Sequence, residues 1–217
     1  MITLVNFSAA HFVHLIGYDM RGWWNNFADV HSPMADRSHD VGNFRGINVR
    51  DGVQHMLSNR CTPGKMILGV ALFGRTYTLA NSQQNSIGSR TTGPGPAGTY
   101  THEAGYLGYC EICRKFLSRS PIAQSPWPKL WDDVGQCPYT YRGREWIGYE
   151  DEQSLQEKVN FVKEKQLAGI YAFSLDLDDY LGDCASEPYP LTRKLYEYIK
   201  ETKDCGNIGG FFNRDEC

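Results

Sequence analysis

The segment LIGYDMRGWW, residues 15–24, joins an apolar run to a group of polar and aromatic side chains. The largely apolar run over residues 12–17 predicts a strand that is buried on both faces. It ends at Tyr18 and Asp19, where a phenol and a carboxylate replace the apolar side chains. Polar residues at the carboxyl end of a buried parallel strand are typical of a binding or catalytic site.

Two further apolar runs have the same form. Residues 65–73 (KMILGVALF) lead to Gly74 and Arg75, and residues 169–175 (GIYAFSL) lead to Asp176. Each strand end taken alone fits a simpler interpretation, in which the carboxylates cap loops and the arginine is their counter-ion. Because chemically active side chains follow all three strands, we interpret this edge of the sheet as a site.

Segments with helical spacing of apolar residues alternate with these strands. They are residues 47–60, 151–166 and 191–199, and the alternation predicts parallel βα units. Residues 77–149 differ, since they hold a Gly/Pro-rich run and a predicted helix over 102–117, and they form a predicted α+β insertion. Three units cannot close a barrel, which needs ~250 residues, so the sheet is either small and open or part of a barrel.

Composition and charge limit the classes of partner and cofactor that the sequence predicts. The 217 residues carry a net charge of -3, which gives no reason to expect a nucleic-acid partner. No run reaches the ~18 apolar residues that span a membrane. The six histidines form no HExxH or similar cluster, so neither a metal nor a cofactor is predicted.

The seven cysteines predict a disulfide framework of an extracellular protein, with at least one cysteine lacking a partner in this chain. Cys110 and Cys113 also fit a redox or zinc pair, although no second close Cys/His pair completes a zinc site. Residues 1–17 lack the basic start of a secretion signal, so we expect the natural protein to begin upstream.

Five blocks carry a family resemblance, and they occur in the family's order and spacing. They are IGYDMRGWW, KMILGVALFGRTYTLA, GTYTHEAGYLGYCEIC, PYTYRGREWIGYED and GIYAFSLDLDDYLGDC. From about residue 10 to residue 200 the chain resembles the C-terminal half of the family-18 glycoside hydrolases, the chitinase and chitinase-like group.

The resemblance implies an α/β fold, the C-terminal part of a (β/α)8 TIM barrel with an α+β insertion domain. Residues 1–76 would hold barrel strands 6 and 7 with the intervening helix, and residues 77–149 the insertion domain. Residues 150–201 would hold helix 7, strand 8 and helix 8. Residues 202–217 resemble a linker with the opening of a peritrophin-type chitin-binding module.

The family cleaves β-1,4 links between N-acetylglucosamine units, so the implied partner is chitin or chito-oligosaccharides. A glutamate on the fourth strand protonates the leaving oxygen, and the sugar's own acetamide attacks the anomeric carbon. The resemblance implies that Tyr18 holds that acetamide and that Asp19 supports the site. It implies that Arg75 pairs with Asp19, that Trp24 stacks on a sugar and that Glu103 lines the groove.

Departures from the family pattern limit this expectation. The family's acid motif, Asp-x-x-Asp-x-Asp-x-Glu, is absent from the chain, so we expect this chain alone to be inactive. Ile16 replaces a common methionine, Phe73 a tyrosine and Phe173 the tryptophan beneath the central sugar. An inactive chitinase-like lectin is therefore the alternative function, and an open-sheet protein of unrelated function a third.

The resemblance also implies how the cysteines pair. Cys113 and Cys184 match a family disulfide between the insertion and the end of the third apolar run. Cys110 and Cys137 would form a second, local bridge, and Cys61 would have its partner upstream.

Overall fold

The computed structural model describes residues 9–117 and 127–200, which form an α/β unit with two sheets. In chain order the strands are β1 (Val13–Ile16), β2 (Met66–Ala71), β3 (Phe73–Leu79), β4 (Thr91–Pro94), β5 (Tyr106–Gly108), β6 (Leu130–Asp132), β7 (Cys137–Arg142), β8 (Glu145–Gly148) and β9 (Gly169–Phe173). The α-helices are α1 (Val49–Ser58), α2 (Tyr109–Leu117), α3 (Glu152–Glu164) and α4 (Pro190–Lys200).

The three predicted buried strands form a parallel sheet in the order β1-β2-β9. One face of the central strand, including Leu68 and Val70, packs in apolar clusters with Leu155, Val159 and Phe161 of α3. The predicted parallel βα arrangement is thus confirmed. Because helices cover this face, the strand ends project from a rigid layer.

At the start of helix α3, side chains bind backbone N–H groups that have no acceptor within the helix. The Asp151 carboxylate accepts the Ser154 N–H at 3.0 Å, and the Ser154 hydroxyl accepts the Asp151 N–H at 2.9 Å. This reciprocal cap satisfies two groups that have no partner within the helix. Asn48 caps α1 in the same way by accepting the Asp51 N–H at 2.9 Å.

The helix predicted over residues 102–117 begins only at Tyr109. Its first half is instead a turn and the strand β5, which pairs with β3. His102 and Gly105 both have positive φ, 54° and 82°, which a right-handed helix excludes. The helix prediction was therefore wrong over residues 102–108.

The described residues of the predicted insertion form a six-stranded antiparallel sheet, with the order β4-β3-β8-β7-β6 and β5 paired to β3. It starts at Phe73, one residue after β2, so the predicted boundary at residue 77 falls inside β3. The residue between, Leu72, donates its N–H to the Phe173 carbonyl at 2.8 Å and accepts the Tyr109 N–H at 3.0 Å. The two sheets are therefore fixed to one another at this point.

The structure confirms one predicted disulfide and contradicts the other. Cys113 and Cys184 are bonded, with a Cα–Cα distance of 5.9 Å, and join α2 to the loop after β9.

Cys110 and Cys137 are free, buried thiols, so their predicted bridge was wrong. The Cys137 sulfur instead lies 3.3 Å from the Ser32 carbonyl and 3.6 Å from the Lys158 ammonium. Cys61 is also free and buried among the described residues, and its predicted upstream partner stays a prediction. Cys205 and Cys217, like the module predicted over residues 202–217, lie outside the described residues.

Buried ion pairs hold the long loop between β1 and α1. The Arg37 guanidinium donates to both carboxylate oxygens of Asp29 at 2.6 and 2.8 Å, to Asp40 at 2.9 Å and to Asp132 of β6 at 3.0 Å. Arg21 donates to Asp40 at 3.0 Å. Burial alone raises the pKa of Asp40, but hydrogen bonds from Arg37 and Arg21 lower it to about 2.

Replacing Arg37 with Leu should lower the free energy of unfolding by about 3–5 kcal/mol, because buried carboxylates lose their main partner. Urea denaturation measures this loss. Arg50→Leu is the control, since the Arg50 side chain is 43% exposed and lies 4.0 Å from Glu164. The control should change stability by less than about 1 kcal/mol. Equal losses in both variants would contradict a structural role for the buried pairs.

Candidate functional site

The carboxyl ends of the parallel strands bring three predicted site residues into one aromatic cluster. The Tyr18 ring lies edge-on to Phe73, with centroids 5.5 Å apart, and stacks on Phe173 at 6.0 Å. Phe173 is 48% exposed, whereas Phe73 is 1% exposed and lies beneath the surface. Phe73 therefore supports the site from below, and Phe173 offers an open ring face.

Asp19 and Arg75 form a two-point ion pair beside this cluster. The Arg75 Nε and Nη2 donate to the two Asp19 carboxylate oxygens at 2.7 and 2.9 Å. The pairing predicted for these residues is thus present. Asp19 has φ of 60°, a left-handed conformation that aspartate adopts more readily than most residues.

Aromatic rings surround the Arg75 guanidinium. Its central carbon lies 4.9 Å from the Tyr106 ring centroid, 5.3 Å from Trp24 and 5.5 Å from Phe73. Cation–π attraction in a partly desolvated setting is worth about 0.5–2 kcal/mol per contact. Arg75 therefore links the Asp19 carboxylate to the Trp24 indole and fixes the position of both.

Two adjacent indoles form the exposed side of the site. Trp23 and Trp24 lie in a short 3-10 helix (Trp23–Asn25), edge to face with centroids 6.1 Å apart, and are 37% and 46% exposed. A Cβ on Gly105 would lie 2.4 Å from the Trp23 ring, and one on Gly22 would lie 2.2 Å from the Trp24 ring. Glycine at both positions lets the indoles lie close to the backbone.

His31 is a site residue that the sequence interpretation missed. It is fully buried, accepts the Asp19 backbone N–H at Nδ1 (3.4 Å), and donates from Nε2 to the Phe73 carbonyl at 3.2 Å. Burial lowers the pKa of His31 to about 4, against the raising effect of the Asp19 carboxylate. The neutral ring thus supports Asp19 in its left-handed conformation.

Tyr106 and Glu103 belong to the insertion wall. Tyr106 packs on Phe73 with ring centroids 4.6 Å apart, and it was missed because it lay in the predicted helix. Glu103 is exposed, and its negative charge acts on both Arg75 and Tyr106. Its role in lining the groove stays a prediction.

Among the described residues, two clusters of cysteine, aspartate and histidine side chains could hold a metal ion. Side chains of both clusters already bind other groups of the protein. The sulfurs of Cys113 and Cys184, near Asp179, are bonded to each other. Asp29 and Asp40, near His39, bind the buried arginines. In the part of the chain that the structure covers, no helix is long and apolar enough to cross a membrane.

The arrangement of a parallel βα sheet, an antiparallel insertion and an aromatic ion-pair site matches a class of carbohydrate-active proteins. Residues 4–178 match the family described as glycosyl hydrolases family 18. The chain belongs to this family. Its relatives in the comparisons include chitinases and chitinase-like proteins.

An endochitinase of Manduca sexta is 36% identical over 191 residues, which cover 86% of this chain and 34% of that protein. The Group IV chitinase of Ostrinia furnacalis superposes with a TM-score of 0.81 at 29% identity, over 88% of this chain and 51% of that one. Human YKL-39, described as a pseudo-chitinase with retained chitooligosaccharide binding properties, superposes with a TM-score of 0.80 at 29% identity, over 88% and 50%. The chain thus spans between a third and a half of these relatives.

The buried His31 predicts a loss of stability in mild acid. An unfolded histidine binds a proton near pH 6.5, but the folded site binds one only near pH 4. As the pH falls through this window, the free energy of unfolding should therefore drop by about 3 kcal/mol. Urea denaturation from pH 7 to pH 4 measures this, and His31→Gln should remove that part of the pH dependence.

The control is His55→Gln, since His55 is exposed on α1. It should keep the wild-type pH dependence. An unchanged pH dependence in His31→Gln would show that His31 takes up its proton normally in the folded protein.

Proposed function

We propose that the strand-end site binds chitin or chito-oligosaccharides, as part of a secreted chitinase-type protein. The observation that carries the proposal is the Asp19–Arg75 pair beneath the exposed Trp24 ring. Sugar rings present C–H groups on their faces and hydroxyls at their edges. An indole face next to a carboxylate and a guanidinium offers partners for both.

Each side chain then has a distinct task. Trp24 stacks on a sugar face, and Tyr18 donates its hydroxyl hydrogen to the acetamide of a neighbouring sugar. Asp19 holds Arg75 and accepts from a sugar hydroxyl with its exposed oxygen edge, since 35% of its side chain is exposed. Phe173 lies beneath the central sugar. Glu103, on the insertion wall, accepts hydrogen bonds from sugar hydroxyls.

We further propose that β1, β2 and β9 are the sixth, seventh and eighth strands of a (β/α)8 barrel. Their parallel order supports this, as does the fact that the chain covers only about half of the Ostrinia furnacalis Group IV chitinase and of human YKL-39, at 51% and 50%. Among residues 9–117 and 127–200, no strand pairs with the outer edges of β1 and β9. Five further strands would cover those edges.

The proposed parent reaction is retaining hydrolysis assisted by the substrate's acetamide. The residues of this chain bind and orient the sugar, but its sequence lacks the Asp-x-x-Asp-x-Asp-x-Glu motif that supplies the proton. We therefore expect the 217-residue chain to release no fluorophore from a fluorogenic chitobioside. Clear turnover by the purified chain would contradict this assignment of roles.

An inactive chitinase-like lectin is the second candidate function. Ile16, Phe73 and Phe173 favour it, because three site positions depart from the pattern expected of the active family members. The description of human YKL-39 as a pseudo-chitinase that retains binding shows that the family contains such proteins. The full coding sequence of the gene separates the two, since an intact acid motif in it favours the enzyme and loss of its glutamate favours the lectin.

Extracellular localisation is part of the proposal. The Cys113–Cys184 disulfide supports it, because disulfides persist in oxidising compartments. Free Cys61, Cys110 and Cys137 are all buried, so they are protected from exchange in such a compartment.

Tetra-N-acetylchitotetraose should bind the purified protein, and Trp24→Ala should weaken its affinity about tenfold, because one sugar loses its stacking partner. Isothermal titration calorimetry measures both affinities. Tyr196→Ala is the control, since Tyr196 is a 60% exposed aromatic residue on α4. It should leave the affinity unchanged. Absence of binding by the wild-type protein would refute the proposed function.

A further inference from the structure

Tyr171 fills a space that a glycine leaves on the neighbouring strand. It lies on β9 directly opposite Gly69 of β2. A Cβ on Gly69 would lie 2.4 Å from the Tyr171 Cζ and 2.5 Å from its hydroxyl oxygen. Any larger residue at position 69 would therefore push the phenol ring away.

The Tyr171 side chain extends over the central strand β2 and contacts His14 of β1 and Tyr18, which follows β1. Its hydroxyl oxygen lies 3.4 Å from that of Tyr18, and its ring centroid lies 5.1 Å from His14. Because side chains alternate along a strand, Tyr171 and Phe173 share the face of β9 opposite the α3 helix. Tyr171 is thus next to the residues of the proposed sugar site.

Two phenols in contact offer a specific set of hydrogen-bonding groups. Each hydroxyl has one donor hydrogen and two acceptor lone pairs. When one hydroxyl donates to the other, the pair keeps one free donor and several free lone pairs. An N-acetyl group presents one N–H donor and one carbonyl acceptor, so the pair can satisfy both with separate oxygens.

The protonation state of Tyr18 suits this task. Burial, together with the Tyr171 hydroxyl and nearby charges, raises the pKa of the Tyr18 phenol well above its usual value. Tyr18 is 9% exposed and Tyr171 is half-buried, so competing water has limited access to both hydroxyls. Tyr18 therefore keeps its donor hydrogen at neutral pH.

We propose that Tyr171 is a specificity residue, which forms with Tyr18 a phenol pair that binds the N-acetyl group of a sugar. One hydroxyl donates to the amide carbonyl, and the oxygen of the other accepts the amide N–H. The inference rests on the proposed function and adds to it a residue for which the family resemblance gave no role.

Isothermal titration calorimetry with tetra-N-acetylchitotetraose and with the fully deacetylated tetramer tests the inference. Tyr171→Phe keeps the ring over Gly69 and removes only the hydroxyl. Its affinity for the acetylated tetramer should fall about three- to tenfold, and its affinity for the deacetylated tetramer should not change. Tyr139→Phe is the matched control, since Tyr139 is a half-buried tyrosine that stacks on Trp146 in the insertion sheet. It should change neither affinity.

Gly69→Ala provides a second variant, because it displaces the ring and leaves the hydroxyl in the chain. If its near-ultraviolet circular dichroism spectrum is unchanged, Gly69→Ala should show the same selective loss of affinity for the acetylated tetramer as Tyr171→Phe. If Tyr171→Phe keeps the full preference for the acetylated tetramer, the inference is overturned while the proposed function stands. If the wild-type protein binds neither tetramer, both are overturned.

Discussion

The architecture depends on the single residue that separates the parallel sheet from the antiparallel one. Leu72 donates its backbone N–H to the end of β9 and accepts the N–H of the first residue of α2. A one-residue connection with both backbone groups engaged leaves no flexible joint between the sheets. The insertion therefore stands as a fixed wall, and Arg75, three residues further along, reaches Asp19 at the end of β1.

The parallel unit could be predicted because its signals are local. Continuous apolar runs identified the three strands, and helical spacing located three of the four helices. The strands within the predicted insertion could not be located in the same way, because a strand such as β5 is defined only by its pairing with β3. The Cys110–Cys137 bridge was wrong for a related reason: the positions of two sulfurs depend on tertiary packing, which places Cys137 beside Ser32 and Lys158.

The cluster of Tyr18, Asp19 and Arg75 could be anticipated because all three residues lie directly at strand ends, and their role in binding stays a prediction. His31 was missed because it lies in a loop without a periodic pattern and contacts the site from below. Tyr171 carried a usable signal, since it lies two residues before Phe173 and therefore on the same face of its strand. Its contact with Tyr18, however, depends on a glycine one strand away, and no local pattern shows that.

The buried arginine pairs of the long loop also affect how the protein responds to its medium. Dissolved salt screens exposed charges strongly, but the side chains of Arg21 and Asp29 have no exposed surface. The loop that carries Trp23 and Trp24 should therefore keep its shape in concentrated salt. If the loop holds the indoles in place before a ligand binds, binding at the proposed site loses little conformational entropy, which is the advantage of a pre-organised site.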